Sequence, residues 1–160
     1  LDAITGATPL AMESNPYSIM DMLLGNHAGA LGETCIITLL AGYLFLLAIK
    51  VVDAWATLPF IGTVAVIMGL AGEDVVFQLL SGGLALGAFF MATDYTTTPM
   101  TSKGKIIFGV GCGLITSLVR LFAAAPEGVA FSILFMNMFV PLIDRYTRPR
   151  PVGGVKNALV

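Results

Sequence analysis

Long apolar runs, almost free of charged residues, make up most of the chain. The five runs cover residues 34–49, 54–72, 75–93, 106–126 and 128–141, and only Arg120 places a charge inside one of them. A helix that crosses the hydrocarbon core of a bilayer needs about 20 apolar residues, with a range of roughly 17 to 25. The first and fifth runs are short, so flanking residues must complete those crossings. The pattern predicts an all-α membrane protein with about five transmembrane helices in residues 34–146.

A shorter apolar segment precedes these runs. Pro16 suits the first turn of a helix, and six of the eight residues from Tyr17 to Leu24 are apolar. The segment is too short to cross a bilayer, and the glycine-rich run from Gly25 to Gly29 breaks it. Residues 16–33 are therefore predicted to form a re-entrant or interfacial helix with a glycine-rich loop. A surface helix and loop is the alternative.

The basic residues predict the orientation of the chain in the membrane. When the connections between the five spans are numbered alternately, all basic residues except Arg120 fall on one side: Lys50, Lys103, Lys105, Arg145, Arg148, Arg150 and Lys156. Lysine and arginine are enriched in cytoplasmic loops. This side is therefore predicted to be cytoplasmic, with residues 147–160 as a cytoplasmic tail and the N-terminal segment on the opposite face.

The overall composition agrees with a location in lipid and excludes several classes of function. The chain is 57% hydrophobic and 11% charged, whereas about 25% of the residues in an ordinary soluble domain are charged. The basic residues form no patch interleaved with aromatic residues, so nucleic-acid binding is not expected. Cys35 and Cys112 form no CxxC motif and the chain has a single histidine, so no metal site is predicted.

Arg120 is the charged residue that most needs an explanation. A charge at the centre of a membrane helix costs roughly 2.5–3.5 kcal/mol on insertion scales, and Arg120 lies near the predicted outer end of its span, where this cost falls. We expect its side chain to face protein and to pair, with Glu127 or Glu33 as candidate partners. His27 is interpreted as a residue that forms a hydrogen bond in a loop, with proton transfer as the less favoured alternative.

Other polar and small residues have structural interpretations. Asp53, Asp94 and Asp144 lie at the predicted inner ends of spans and are interpreted as interface caps, with a cation path at Asp94 as the alternative. Glycines 109, 111 and 113 are expected to give one face of the fourth span small residues for close helix packing.

The most specific local motif is Thr5-Gly6-Ala7-Thr8, within residues 1–15. By its residue types alone it is a flexible polar turn. No histidine or lysine in this segment is available to activate Thr8 as a nucleophile. No catalytic residue is therefore predicted.

The same string resembles the S/T-G-A-T flavinylation motif of the membrane flavin subunits of the Rnf and Na⁺-translocating NADH:quinone oxidoreductase complexes. Residues 29–34 (GALGET), 87–94 (GAFFMATD), 126–129 (PEGV) and 136–144 are also similar to this family. The ending at 145–150 (RYTRPR) resembles the D subunit of Rnf more than its quinone-reductase counterpart. The chain is similar to the C-terminal half of that D subunit.

This resemblance implies a function. Thr8 would carry FMN through a phosphoester bond made by a separate flavin transferase, and riboflavin is left open as a further flavin. The chain would be a membrane subunit of a ferredoxin:NAD⁺ oxidoreductase that moves Na⁺ or H⁺. It would lie in the bacterial inner membrane, with Thr8 on the non-cytoplasmic side. The implied partners are a second flavinylated subunit, two small membrane subunits and iron–sulfur subunits.

Three alternatives remain. The first is a role like that of the B subunit of a Na⁺-translocating NADH:quinone reductase. The second is a solute channel or transporter without redox chemistry, and the third is a passive scaffold in a membrane complex.

Overall fold

A computed structural model describes residues 18–25, 32, 34–81, 83–123 and 128–149. Within these residues all regular structure is helical. The elements are α1 (Ile19–Leu24), α2 (Ile36–Ala48), α3 (Ala54–Ala71), α4 (Val75–Leu80), α5 (Leu84–Leu86), a π-helical turn (Gly87–Met91), α6 (Ser102–Ala123) and α7 (Gly128–Thr147). The predicted all-α membrane fold is confirmed.

Three helices, α3, α6 and α7, are long and apolar enough to cross a membrane. They match the predicted second, fourth and fifth spans. Helix α2 falls within the predicted first span but has only 13 residues, which gives a length of about 20 Å against a hydrocarbon core of roughly 30 Å. Helix α2 alone is therefore too short to cross the core, and the first predicted crossing stays a prediction.

The third predicted span is not one continuous helix, and this part of the prediction is wrong. Helix α4 ends at Leu80, and Ser81 is extended with φ −111° and ψ 162°. Gly83 then has φ +67° before the chain resumes as α5 and the π-helical turn. A left-handed backbone is available to glycine because it has no Cβ. The string Ser81-Gly82-Gly83 carries no charge, so the charge pattern does not interrupt the predicted span here. The backbone at Ser81 and Gly83 is nevertheless not helical.

Short helix α1 lies within the segment predicted to be re-entrant or interfacial. It begins after Ser18, whose backbone N–H donates to the Asp21 carboxylate at 3.2 Å, and it ends at Gly25 with φ +83°. Met22 is buried, and α1 packs against α2. Residues 26–31 and 33 lie outside the described residues, so the re-entrant path remains a prediction.

Helix α6 packs between α3 and α7, and small residues allow the close approach. A Cβ on Gly113 would lie 2.7 Å from the Thr63 Cβ atom of α3, and a Cβ on Gly109 would meet the backbone of α3. Gly111 instead faces Met136 of α7. The expectation of one glycine face is therefore wrong, because residues two apart on a helix point about 200° apart. Helix α6 therefore approaches α3 closely at Gly109 and Gly113, and it approaches α7 closely at Gly111.

The connections predicted to be cytoplasmic lie together at one end of the bundle. The Lys105 ammonium contacts the Asp53 carboxylate at 2.5 Å, which joins the start of α6 to the start of α3. The Met100 backbone N–H donates to the Asp144 carboxylate at 3.1 Å, and the Thr101 hydroxyl donates to the Thr147 hydroxyl at 2.7 Å. These contacts join the start of α6 to the end of α7. Which side of the membrane this end faces remains a prediction from charge.

Candidate functional site

The predicted flavin-bearing residue, Thr8, lies outside the described residues, as do His27, Glu33 and Glu127. The flavin at Thr8 therefore remains a prediction from the sequence. The structure describes the helical framework and the buried polar groups within it. The most elaborate of these groups is centred on Arg120.

Arg120 projects from α6 towards the break between α4 and α5. Its side chain is only 7% exposed, which confirms that it faces protein. One guanidinium nitrogen, Nη1, donates to the Gln78 main-chain oxygen at 2.6 Å and to the Gln78 Oε1 atom at 3.2 Å. The other, Nη2, donates to the Ser81 main-chain oxygen at 3.0 Å. The guanidinium group therefore connects α6 to the C-terminal end of α4, through the main-chain oxygens of Gln78 and Ser81.

This contact has a clear physical basis. The last carbonyl groups of a helix have no partner within the helix and carry the negative end of its dipole. Helix α4 ends inside the predicted third span, where little water is available to satisfy those oxygens. A planar cation with several donors suits two carbonyl groups at this spacing. Arg120 therefore stabilises the broken crossing as a cationic cap.

These carbonyl partners were not predicted from the sequence. Only acidic side chains were considered as partners, and the two candidates, Glu127 and Glu33, lie outside the described residues. The signal that would have found the carbonyl groups is the Ser81-Gly82-Gly83 string. A flexible break in one span and a buried cation in another are complementary features.

A pair of hydroxyl groups links α6 to α7. The α6 member, Thr116, lies one helical turn before Arg120. The Thr116 hydroxyl donates to the Ser132 hydroxyl at 2.7 Å, and that hydroxyl donates in turn to the Val129 carbonyl at 2.7 Å. Both side chains are fully buried. Because each of the two hydroxyl donors has an acceptor, the arrangement is a structural bridge between the two helices.

The three aspartates at the opposite end of the bundle have separate roles. Asp53 pairs with Lys105 beside a cavity of about 110 Å³, and Asp144 accepts the Met100 N–H. Asp94 lies in the connection before α6, where the Thr96 hydroxyl donates to its carboxylate at 2.5 Å. This hydrogen bond lowers the pKa of Asp94 below its ordinary value. Asp53 makes no side-chain hydrogen bond that caps α3, and Asp144 lies within α7, so the interpretation of the three aspartates as interface caps stays a prediction.

The described residues do not bring these aspartates together into a metal centre. Within the described ranges, no three histidine, cysteine, aspartate or glutamate side chains are grouped so that they could hold an ion. This absence from the described ranges concerns metal centres, so the cation path considered for Asp94 stays an untested alternative.

Comparison with known proteins identifies the relatives of this chain. The model of the NQR2, RnfD, RnfE family matches residues 1–153. The D subunit of the Na⁺-translocating ferredoxin:NAD⁺ oxidoreductase complex of Acetobacterium woodii is 41% identical over 97% of this chain and 51% of its own length. The D subunit of the proton-translocating ferredoxin:NAD⁺ oxidoreductase complex of Clostridium ljungdahlii is 42% identical over 96% of this chain and 52% of its own length.

A third relative has a less specific name. The D subunit of the ion-translocating oxidoreductase complex of Escherichia fergusonii is 38% identical over 98% of this chain and 49% of its own length. The chain thus spans about half the length of the curated relatives it matches. The similarity covers the flavinylation-like string, the apolar runs and the predicted cytoplasmic end. This chain belongs to the NQR2, RnfD, RnfE family.

Proposed function

We propose that this chain is part of the membrane D subunit of an Rnf-type, ion-translocating ferredoxin:NAD⁺ oxidoreductase. The observation that carries the proposal is similarity of about 40% identity along nearly the whole chain to subunits of that name. The long apolar helices α3, α6 and α7 support a subunit embedded in the membrane. The chain would take part in electron transfer as one component of a complex and would not be a catalyst alone.

The cofactor proposed for this chain is FMN, joined covalently to Thr8. Two observations support it: the Thr5–Thr8 string, and the distribution of basic residues, which predicts that this string lies on the non-cytoplasmic side. When bound, the flavin supplies the redox chemistry, and the protein holds and orients it. The proposed location is the bacterial inner membrane, with the C-terminus in the cytoplasm.

The coupling ion is proposed only as Na⁺ or H⁺. The relative named for Na⁺ and the relative named for protons have 41% and 42% identity to this chain. Overall similarity therefore does not separate the two ions. The ion would have to be read from residues that line its path.

A denaturing gel tests the flavin proposal directly. The chain is produced in membranes together with its flavin transferase, and the gel is examined for flavin fluorescence at the position of the protein. Wild-type protein and the matched control Thr5→Ser should fluoresce, because the motif accepts serine at its first position. Thr8→Ala should not fluoresce while it accumulates in the membrane to the same level.

Two results would contradict the proposal. A fluorescent Thr8→Ala band would place the flavin on another residue. A wild-type band without fluorescence, and without the mass of one bound FMN, would favour the channel or scaffold interpretation.

A further inference from the structure

An open, shallow cleft at the predicted cytoplasmic end is lined by the last two turns of α7 and the residue that follows them. The cleft has a volume of about 430 Å³. Its lining changes from apolar to charged along the helix and comprises Val140, Pro141, Asp144, Arg145 and Arg148. A ligand that fits this lining must carry an apolar part beside a negatively charged part.

The two arginines of the cleft form no ion pair with the residues that the structure describes. Asp144 stands four residues before Arg148, a spacing at which opposite charges on a helix normally meet. Its carboxylate is instead turned towards the Met100 N–H, at 3.1 Å. The ion pair found within the described ranges is the distant one between Lys105 and Asp53. Arg145 and Arg148 are both exposed within the described part of the chain, and their guanidinium groups face its surface.

An exposed apolar strip continues from the cleft along α7. Leu134, Met138, Pro141 and Arg145 follow one another at spacings of four, three and four residues, so they lie along one line of the helix. Leu134 is 66% exposed and Met138 is 75% exposed. From Leu134 to Arg145 the helical rise is about 16 Å, close to half of the roughly 30 Å hydrocarbon core. The strip is therefore as long as one leaflet is thick.

Aromatic residues mark the depth of this end of the bundle. Tyr146 is 82% exposed, Tyr95 is 87% exposed and Trp55 is 54% exposed, and all three lie beside the connections at this end. Tyrosine and tryptophan are enriched at the level of lipid headgroups. The two arginines follow the apolar strip at this same level.

We propose that the cleft binds an anionic phospholipid. Its phosphate lies against Arg145 and Arg148, and an acyl chain lies along the strip from Leu134 to Pro141. Guanidinium groups suit a phosphate because they form paired hydrogen bonds with its oxygens. Basic pockets beside membrane helices bind anionic headgroups in this way. The inference concerns the helical framework and does not depend on the flavin.

Native mass spectrometry of the purified full chain in detergent tests the site. Phosphatidylglycerol and phosphatidylcholine with identical acyl chains are added in turn, and bound lipid is counted on each species. The test variant is Arg145→Gln with Arg148→Gln. The matched control is Lys50→Gln with Lys103→Gln, which removes the same charge from the same end but leaves the cleft lining intact.

The wild-type protein and the lysine control should retain phosphatidylglycerol in preference to phosphatidylcholine. The arginine variant should bind phosphatidylglycerol at least about 10-fold more weakly, because it loses the charge-assisted hydrogen bonds of two guanidinium groups to the phosphate, which the lysine control keeps. The double variant Leu134→Ser with Met138→Ser should also weaken binding of both lipids, while it should still bind phosphatidylglycerol in preference to phosphatidylcholine.

Three results would overturn the proposal. Equal losses in the arginine and lysine variants would indicate general surface attraction. Equal binding of the two lipids would remove the role of charge. Displacement of the lipid by excess inorganic phosphate, together with no effect of the two serines, would indicate a free-phosphate site.

Discussion

A single methyl group at Gly109 should separate helices α3 and α6. A Cβ at this position would meet the main-chain oxygen of Ala56 and lie 3.2 Å from the Phe60 nitrogen. Both obstacles are backbone atoms of a packed helix, so they cannot move aside as the end of a flexible side chain can. The variant Gly109→Ala therefore tests whether the two backbones are as close as described.

The expected magnitude follows from two opposing effects. Overpacking of a tight interior costs about 1–3 kcal/mol, whereas replacing glycine by alanine in a helix gains roughly 0.5–1 kcal/mol. At Gly109 the overpacking should exceed the gain. Gly62, in α3, is the matched control, because a Cβ there would have no atom within 4 Å. For a chain of this size 1 kcal/mol shifts Tm by about 2–4 °C, so Gly109→Ala should melt several degrees lower and Gly62→Ala should melt slightly higher.

The buried thiol of Cys112 provides the assay. Its side chain is 0% exposed and lies in α6 between the two glycines of the α3 contact. Cys35 is partly exposed, so Cys35→Ser serves as the parent in which only Cys112 can react. A fluorogenic maleimide then reports opening of the helix interface as the protein is heated in detergent. If both alanine variants shift Tm in the same direction by similar amounts, the close approach of α3 and α6 is refuted.

Three other predictions concern polar groups. Arg120→Lys should speed hydrogen exchange across residues 75–91, because one ammonium group cannot replace the fork between the two carbonyl groups of the break; unchanged exchange would contradict the cap. Thr116→Val should lower stability by about 0.6 kcal/mol and at most roughly 1.7 kcal/mol, measured by the same thiol assay, and no loss would exclude a stabilising hydroxyl bridge. Because the pKa of Asp94 is lowered in the folded protein, its carboxylate stabilises the fold at pH values above the ordinary pKa of 3.8, and this contribution is lost as pH falls through the folded-state pKa. The Tm difference between wild type and Asp94→Asn should therefore be constant near neutral pH and should disappear in acid, and a difference that is independent of pH would contradict it.

The long spans could be predicted because lipid imposes a single strong requirement. A bilayer penalises charge, so uncharged runs reveal the helices that cross it. Predicted span 54–72 corresponds to Ala54–Ala71, and the last span begins at Gly128 as predicted. That helix extends past Asp144 to Thr147, because polar residues at its end can reach the interface. For these two spans, the flanking charged residues therefore predict the first residue of the helix more accurately than its last residue.

The broken third span was missed because hydropathy measures transfer into lipid and is insensitive to backbone conformation. Ser81 and Gly83 carry no charge, yet they have the extended and left-handed backbone that follows the end of α4. The split of the α6 glycines between two neighbours was missed for a related reason. The number of small residues in a segment does not show which face of the helix each one occupies, because successive residues are rotated by about 100° around the helix axis. The motif at Thr8 depends on resemblance and remains a prediction.

Arg120 and the helix break make most physical sense as one feature. A cation in a span and unpaired carbonyl groups at membrane depth are each unfavourable alone. When the guanidinium group donates to the oxygens of Gln78 and Ser81, each group relieves the cost of the other. A continuous third helix would satisfy its own carbonyl groups and leave the cation without these acceptors. It follows that a lone charge in one span, read together with a glycine pair in another, predicts contact between the two segments, which neither signal predicts by itself.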